Sequence, residues 1–277
     1  MVLKEGLTGH LLIYQGEKYM FNYREAVLSV LPICDEFVIC ECFSDDGTYE
    51  GCLDLQRQYP EIRIIRHPWQ DGTEEPGYEY RRLARLTNAC IEDARTKWAI
   101  QIQADEAVHE DGHEEVLRII QGRSRFGDSP RAIASPFVHL VGNTKTQFRF
   151  VYQSSVRIAR VDSTWRAFKD AWTLQHHDPG DGFVVHAVQA RYFHYGFAFG
   201  LSMERMAKEK HFQSLFASEG FPDKKVLEMA DGDKPLSMAY LFQAAKERGE
   251  FTPFTGTHPA VMKDWIESHR QYEEIFE

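Results

Sequence analysis

The chain has 277 residues, of which 43% are hydrophobic and 27% are charged, values typical of a globular protein with a sizeable core. Its formal net charge of −10 argues against a nonspecific grip on nucleic acid or on an anionic membrane. The five cysteines form neither a CxxC pair nor a Cys/His zinc spacing, which favours a reducing compartment. Since no leader or membrane-length apolar run stands out, we expect a cytoplasmic protein without a membrane span.

Strand and helix patterns alternate along the first part of the chain. Short apolar runs typical of buried strands occupy residues 11–14, 36–43, 62–66 and 98–102. Segments with helical spacing occupy residues 22–31, 48–55, 78–94 and 110–120. This alternation predicts an α/β fold with a parallel sheet covered by helices on both faces. Residues 1–125 are therefore predicted to form a Rossmann-like nucleotide-binding half.

The pattern changes from residue 131, where strands follow one another. Strand patterns joined by polar turns cover residues 132–140, 147–152 and 156–160, and a further strand-like run covers 188–193. Residues 142–145 suit a hairpin turn, and helical patterns return after residue 201 and at 236–248. Residues 126–277 are thus predicted to form a hairpin-rich second half with a helical C-terminus.

Acidic residues follow two of the predicted strands. Asp105 and Glu106 come after the run at 98–102, while Glu41 ends another strand and Asp46 begins an Asp-Gly turn. Ligands of open α/β sheets bind at the carboxyl ends of the strands, and carboxylates there suit a divalent cation that bridges to phosphate. Helix capping explains Asp105 equally well, but Glu41 inside a buried strand is costly unless it is paired. We therefore expect both acidic strand ends to face one polar crevice.

The order of these motifs resembles that of the family-2-like glycosyltransferases with the GT-A fold. The shared features are a helix beginning Asn22-Tyr23-Arg24, the turn Ser44-Asp45-Asp46-Gly47-Thr48, then Asn88, Trp98 and Gln103-Ala104-Asp105-Glu106. One branch of the family is matched further by His109-Glu110, His194-Tyr195-Gly196 and residues 256–262. The resemblance covers nearly the whole chain. It implies one continuous GT-A domain, with a nucleotide-sugar-binding half at 1–125 and an acceptor-binding half with C-terminal helices at 126–277.

The resemblance also implies a chemistry, namely transfer of a sugar from a nucleotide diphosphate sugar, with a UDP-sugar expected, to an acceptor with inversion. The acceptor stays open among a glycan, a lipid-linked sugar, a protein and a modified nucleic acid. Asp105 and His194 would hold a divalent cation, Mn²⁺ or Mg²⁺. The donor contacts implied by the resemblance are Glu41, Asp46, Arg82, Asn88 and Gln103. Lys208 or Lys210 could also reach the diphosphate, although a solvated helical face explains both lysines.

The catalytic base has two candidates, because inversion requires a carboxylate that deprotonates the acceptor. Asp170 lies among aromatic residues of the second half, and Glu106 stands beside Asp105. A turn explains Asp170 without any catalytic role. In the same way, His194 after an apolar run is explained as a buried core residue. Each of these two residues therefore has both a functional and a purely structural interpretation.

Two departures from the family pattern bear on function. Glu41 stands where the family usually has Asp, and Gln103 replaces the first Asp of the DxD motif, which weakens affinity for a cation. Gln103 also supports an alternative, a non-catalytic nucleotide-sugar-binding protein with a degenerate glycosyltransferase fold. A nucleotidyltransferase is a second alternative, but it should carry a Gly-rich basic loop where this chain has Gln15-Gly16-Glu17-Lys18.

Overall fold

The computed structural model describes residues 3–73, 75, 79–122, 130–149, 151–216 and 237–276. The first half forms four parallel strands, namely β1 (Lys4–Ile13), β2 (Glu36–Glu41), β3 (Ile62–Arg66) and β4 (Thr96–Gln101). They lie in the order β3-β2-β1-β4. Four helices belong to this half: α1 (Tyr23–Val30), α2 (Thr48–Gln58), α3 (Arg81–Asp93) and α4 (His113–Ile120). The predicted Rossmann-like arrangement is confirmed.

The alternation of side chains along β2 shows which helices cover each face of the sheet. Phe37 and Ile39 belong to an apolar cluster shared with residues of α1 and α2. Val38 and Cys40 instead belong to a cluster shared with Leu86 of α3. Because successive side chains of a strand point to opposite faces, odd-numbered residues of β2 face α1 and α2 while even-numbered ones face α3.

The second half extends the same sheet. Its strands are β6 (Ala132–Val141), β7 (Thr146–Phe148), β8 (Ser154–Arg160), β11 (Val184–His186), β12 (Tyr192–Phe197) and β13 (Phe251–Pro253), and β12 pairs antiparallel with β5 (Glu106–Val108), a short strand of the first half. A separate two-stranded ribbon consists of β9 (Arg166–Ala167) and β10 (Leu174–Gln175). β8 pairs antiparallel with both β4 and β6, so the main path runs β13-β7-β6-β8-β4-β1-β2-β3. The second half therefore packs directly against the β4 side of the first.

The helices of the second half are α5 (Met203–Phe216), α6 (Met238–Leu241), α7 (Gln243–Glu247) and α8 (Lys263–His269). Trp265 and Ile266 of α8 pack against Phe193, Tyr195 and Phe199 in a second apolar cluster. The mixed α/β sheet flanked by helices agrees with the predicted fold class. Within the described ranges, no helix is long and apolar enough to cross a membrane.

Several element boundaries differ from the predictions. β1 begins at Lys4 instead of residue 11, because pairing with β2 on one side and β4 on the other stabilises a segment of weak strand propensity. Gly9 is needed there, since a Cβ atom would lie 2.3 Å from the Phe37 ring. Of the strand predicted at 188–193, only Tyr192 and Phe193 are confirmed, because residues 187–191 form tight turns and β12 starts at Tyr192. The predicted boundary residues 78, 125–126, 150 and 236 lie outside the described ranges.

Candidate active site

A cavity of about 280 Å³ opens at the carboxyl ends of β1 and β4. Aromatic rings form much of its wall: Tyr14, Phe21, Trp69, Tyr152, Trp172, Phe197 and Phe212. Its polar lining includes Gln103, Asp105, Asp170, His194, Lys208 and Glu209. Five of the residues singled out in the sequence therefore meet in one space, namely Gln103, Asp105, Asp170, His194 and Lys208. The cavity lies between the two halves of the chain, where ligands of open α/β sheets bind.

Asp105 follows β4 and meets residues from β12 and α5. Its Oδ2 lies 3.5 Å from His194 Nε2 and 3.4 Å from Lys208 Nζ, and its carbonyl oxygen accepts from Tyr195 N–H at 2.8 Å. Gly196 permits this approach, because a Cβ atom there would lie 2.5 Å from both Asp105 Oδ2 and His194 Nε2. Burial alone would raise the pKa of Asp105, but the neighbouring His194 and Lys208 hold that pKa far below its usual range. Asp105 is therefore ionised at any physiological pH.

Lys208 is held at three points on α5. Its Nζ donates to the Gly196 carbonyl oxygen at 2.8 Å, lies 3.1 Å from Glu209 Oε1 and forms the contact with Asp105. Only 7% of its side chain is exposed. The ammonium group is therefore a fixed positive charge on the cavity wall.

Glu106 does not line the cavity but lies behind its floor, at the start of β5. Its Oε1 accepts from Arg157 Nη2 at 2.6 Å, and both side chains are fully buried. Its Oε2 accepts from Gln103 N–H at 2.9 Å, which fixes the turn that carries Asp105. Burial raises the pKa of Glu106, while Arg157 opposes that shift. A carboxylate bonded in this way supports the turn and is badly placed to take a proton from a ligand.

Asp170 lines the cavity on a loop with unusual backbone angles. The adjacent residues Lys169 and Ala171 have φ of 52° and 61°, in the left-handed region that is costly for residues other than glycine. The Ala171 carbonyl oxygen accepts from Gln101 Nε2 at 2.7 Å, which ties the loop to the end of β4. Burial raises the pKa of Asp170. The pKa values of the two aspartates in the cavity are therefore shifted in opposite directions.

Glu41, the predicted partner of Asp105, is placed elsewhere. It is fully buried and shares the face of Phe37 and Ile39, towards α1 and α2, so it does not belong to the described cavity lining. Its carboxylate accepts from Arg66 Nε at 2.8 Å and Ser44 N–H at 2.6 Å. The expectation that both acidic strand ends face one crevice was wrong in the described structure, because the parity of β2 directs Glu41 to the other face.

Asp46 serves the entry of α2. Its Oδ1 accepts from Thr48 N–H at 3.1 Å, and its Oδ2 accepts from Lys18 N–H at 2.7 Å. These bonds satisfy the free N–H of Thr48, the first residue of α2, and hold the loop after β1 against the helix. Asp46 is not among the described residues that line the cavity.

Arg82 and Asn88, both on α3, support the cavity wall from behind. The buried Arg82 guanidinium stacks on Trp69 at 5.4 Å from the ring centroid. The Asn88 amide donates to the Ala167 carbonyl oxygen at 3.1 Å and accepts from Ala167 N–H at 2.8 Å, which joins α3 to β9. Neither residue belongs to the described cavity lining, although the resemblance implied contacts with the diphosphate.

Sequence reasoning missed three buried polar residues around the site. Arg157 holds Glu106, while His10 and His139 line the cavity as imidazoles whose pKa burial lowers to about 3. The signal was present, because a charged or imidazole side chain inside an apolar strand requires a partner or a site. In β8 the buried Arg157 stands between the apolar residues Val156 and Ile158.

The side chains around Asp105 do not fit a divalent cation. Gln103 directs its amide oxygen towards Arg157 Nη2 at 3.4 Å, and Glu106 is already paired with the same guanidinium. Asp105 is the remaining carboxylate of the motif, and it already contacts the Lys208 ammonium. Mg²⁺ and Mn²⁺ require several oxygen ligands. Among the described residues, no group of three His, Cys, Asp or Glu side chains is arranged to hold a metal.

Comparison with known proteins gives likeness at the level of structure alone. No protein-family model matches the sequence, and no curated protein matches it. The chain resembles S. aureus TarS with 11% identity and a TM-score of 0.44, over 79% of this chain and 44% of TarS. It thus spans less than half of the TarS chain.

Two further structures show a similar degree of likeness. TarS 1-349 in complex with UDP has 12% identity and a TM-score of 0.43, over 87% of this chain and 70% of that one. The mannosyltransferase PcManGT from Pyrobaculum calidifontis, in complex with GDP-Man and Mn²⁺, has 10% identity and a TM-score of 0.43, over 97% and 85% of the two chains. Likeness of this degree does not extend to activity, substrate or mechanism.

Proposed function

We propose that this protein transfers a glycosyl group from a nucleotide diphosphate sugar, with a UDP-sugar as the expected donor, to an acceptor bound in the same cavity. The observation that carries the proposal is the pair of aspartates in the cavity, Asp105 and Asp170, whose pKa values are shifted in opposite directions. Carboxyl pairs with divergent pKa values are typical of sites where one group stays ionised and the other exchanges a proton. The sequence motifs that resemble those of glycosyltransferases add independent support.

The lining of the cavity suits carbohydrate. Aromatic rings such as Trp172 and Tyr152 can stack on the apolar face of a sugar, while the Gln103 amide and the carboxylates can bond its hydroxyl groups. Binding sites for small ligands commonly combine apolar walls with a few convergent polar groups. Of the donor contacts implied by the resemblance, we retain Gln103, which lines the cavity.

The other expected donor residues are assigned to supporting roles in this proposal. Glu41 and Asp46 hold the turn after β2 through their bonds to backbone N–H groups. Arg82 and Asn88 fix the walls of the cavity through Trp69 and Ala167. Mutation of these residues would therefore affect the stability of the site more than its contacts with the donor.

Asp170 acts as the base in the proposed reaction. Its carboxylate takes the proton of the acceptor hydroxyl while the acceptor oxygen attacks the anomeric carbon, and the bond from that carbon to the phosphate oxygen breaks. The nucleoside diphosphate departs with the bonding electron pair, so negative charge develops on its terminal oxygen. The fixed ammonium of Lys208 lies in the same cavity and can stabilise that charge. This assignment prefers Asp170 to Glu106, which is bonded to Arg157 outside the cavity.

The test is a panel of UDP- and GDP-sugars assayed for binding by calorimetry and for release of the nucleoside diphosphate. We expect one donor class to bind and to turn over. Asp170→Asn should keep donor binding and lower transfer about 10²- to 10⁴-fold, the range for loss of a general base. The control is Asp264→Asn, which makes the same change at an exposed position of α8 and should leave donor binding and transfer unchanged. Binding without turnover for every donor and acceptor would identify a non-catalytic binding protein instead.

A further inference from the structure

We propose that the positive charge which neutralises the departing diphosphate is the Lys208 ammonium, built into α5, and that no divalent cation takes part. The inference rests on the proposed function, since it concerns the diphosphate of the same donor. It departs from the expectation that Asp105 and His194 hold Mn²⁺ or Mg²⁺.

The first support is the position of the ammonium group. Lys208 Nζ lies 3.4 Å from Asp105 Oδ2, on the carboxylate that would have to anchor a metal. A divalent ion bound to the same oxygen would lie within about 6 Å of the ammonium, and at that separation two positive charges repel strongly where water is largely excluded. The Asp105 side chain is only 13% exposed, so water screens this repulsion poorly.

The second support is the use made of the other oxygen donors in the motif. Both Gln103 and Glu106 are engaged by Arg157, at 3.4 Å and 2.6 Å, and Glu106 is fully buried. Recruiting Glu106 to a metal would leave the buried Arg157 charge without its partner, which is costly, and recruiting the Gln103 oxygen would break its contact with the same guanidinium. The motif therefore supplies one available carboxylate, and that carboxylate holds Lys208.

The third support is the local balance of charge. Arg205 lies one turn before Lys208 on α5, is 1% exposed and stacks 5.6 Å from the Trp265 ring centroid. Its three guanidinium nitrogens have no hydrogen-bond partner among the described residues. Although burial lowers the pKa of Arg205 to about 10, the group stays charged at neutral pH. The two positive charges of Lys208 and Arg205 thus balance the two negative charges of Asp105 and Glu209. A divalent cation bound by two carboxylates would give the same balance.

Asp105 is a positioning residue in this arrangement. Its carboxylate holds the Lys208 ammonium at the cavity wall, and the Gly196 carbonyl oxygen accepts a hydrogen bond from Lys208 Nζ at 2.8 Å. A compact ammonium held in this way is a common protein ligand for phosphate. The nearest alternative is that Lys208 only occupies the position of a metal until the donor and the ion arrive together.

Calorimetric titration with UDP and GDP, each in excess EDTA and in Mn²⁺, separates these two possibilities. We expect the dissociation constant of the bound nucleotide to differ less than about threefold between the two conditions. Lys208→Met should weaken binding about 10- to 100-fold in both, as expected for loss of a charged hydrogen bond, and Mn²⁺ should not restore it. Lys208→Arg retains the charge and should bind within about tenfold of the unchanged protein.

Lys210, the other lysine considered for the diphosphate, is exposed and does not belong to the described cavity lining. Lys210→Met is therefore the matched control, since it removes the same charge from the same helix and should leave the dissociation constant unchanged. Circular dichroism of each variant shows whether α5 and the sheet are intact. Nucleotide binding that requires Mn²⁺, or a Lys208→Met variant that binds normally once Mn²⁺ is present, would overturn the inference. If neither nucleotide binds under either condition, the proposed function itself fails, a result distinct from a requirement for the ion.

Discussion

At the end of β2, Glu41 is fully buried and accepts hydrogen bonds from Arg66 at 2.8 Å and from a backbone N–H of the next turn at 2.6 Å. Just past β4, Glu106 is likewise fully buried and accepts from Arg157 at 2.6 Å and from a backbone N–H at 2.9 Å. The two turns therefore share one construction, a buried glutamate paired with an arginine. They differ in the nearby aspartate, because Asp105 lines the cavity and Asp46 of the other turn is not among the described lining residues.

The difference shows that, of these two acidic strand ends, the one enclosed by other elements lines a cavity. β4 is flanked by β1 and β8, and β12 and α5 bring His194 and Lys208 to Asp105. β2 is flanked by β1 and the edge strand β3, so its turn is enclosed by no element of the second half in the described sheet path. The buried glutamates anchor the turns, and the neighbouring elements decide whether a turn lines a cavity.

The largest expected effect is on the free energy of unfolding, which should distinguish the two glutamate–arginine pairs. Arg157→Met should lower the free energy of unfolding by about 3–5 kcal/mol, because it leaves the fully buried Glu106 charge unpaired. Arg66→Met should cost less, about 1–2 kcal/mol, because Glu41 is fully buried but 31% of the Arg66 side chain is exposed, so water already shares in solvating this guanidinium. Urea denaturation at neutral pH measures both changes.

A double variant checks the cause of this loss. Adding Glu106→Gln to Arg157→Met removes the orphaned charge and keeps an acceptor for Gln103 N–H. We expect it to recover part of the stability. Equal losses for Arg157→Met and Arg66→Met would show that burial does not distinguish the two turns.

The next effect concerns activity at the two strand ends. Asp105→Asn should lower transfer about 10²- to 10³-fold, because Lys208 loses the carboxylate that directs it at the diphosphate. Glu41→Gln should lower stability by about 1–2 kcal/mol and leave kcat of the folded protein within about twofold. Steady-state kinetics, with the folded fraction measured by circular dichroism, provides the comparison. Full activity in Asp105→Asn would remove Asp105 from the mechanism.

The pH dependence should distinguish the two aspartates of the cavity. Asp170 has a raised pKa and must be ionised to act as a base, so kcat/KM should fall about tenfold per pH unit below that pKa and level off above it. Asp105 has a depressed pKa and stays ionised above about pH 4, so its titration causes no second fall in kcat/KM in that range. The residual activity of Asp170→Asn should lack the acid limb. A limb that persists in this variant would assign the base elsewhere.

The smallest expected effect concerns Gln103. A new carboxylate in Gln103→Asp would lie near the Arg157 guanidinium and pair with it, instead of joining Asp105 around an ion. We therefore expect affinity for Mn²⁺, measured by calorimetry, to change less than about threefold. A clear gain in Mn²⁺ affinity would mean that this side chain can turn towards Asp105 and that the DxD function is recoverable.

Much of the sheet was predictable because its signals are local. Alternating apolar runs and helical spacing predicted β2, β3, β4 and the helices between them, and the Asp-Gly turn predicted the start of α2. The first strand was only partly predicted, since its N-terminal segment lacks strand propensity and is stabilised by neighbours on both sides. Asp105 was identified from its position after a buried strand, which the sequence states directly.

The remaining parts of the site depend on tertiary structure. Lys208 and Asp170 lie more than 60 positions from Asp105 along the chain, and no local pattern tells which helix or loop returns to it. The partner of Glu106 is Arg157, and the side of the sheet that Glu41 faces follows from strand parity combined with the packing of α1 and α2. The sequence by itself determined that buried acids needed partners. Only the fold decided which partner each acid found, because charge pairing requires contact in space and sequence order does not specify it.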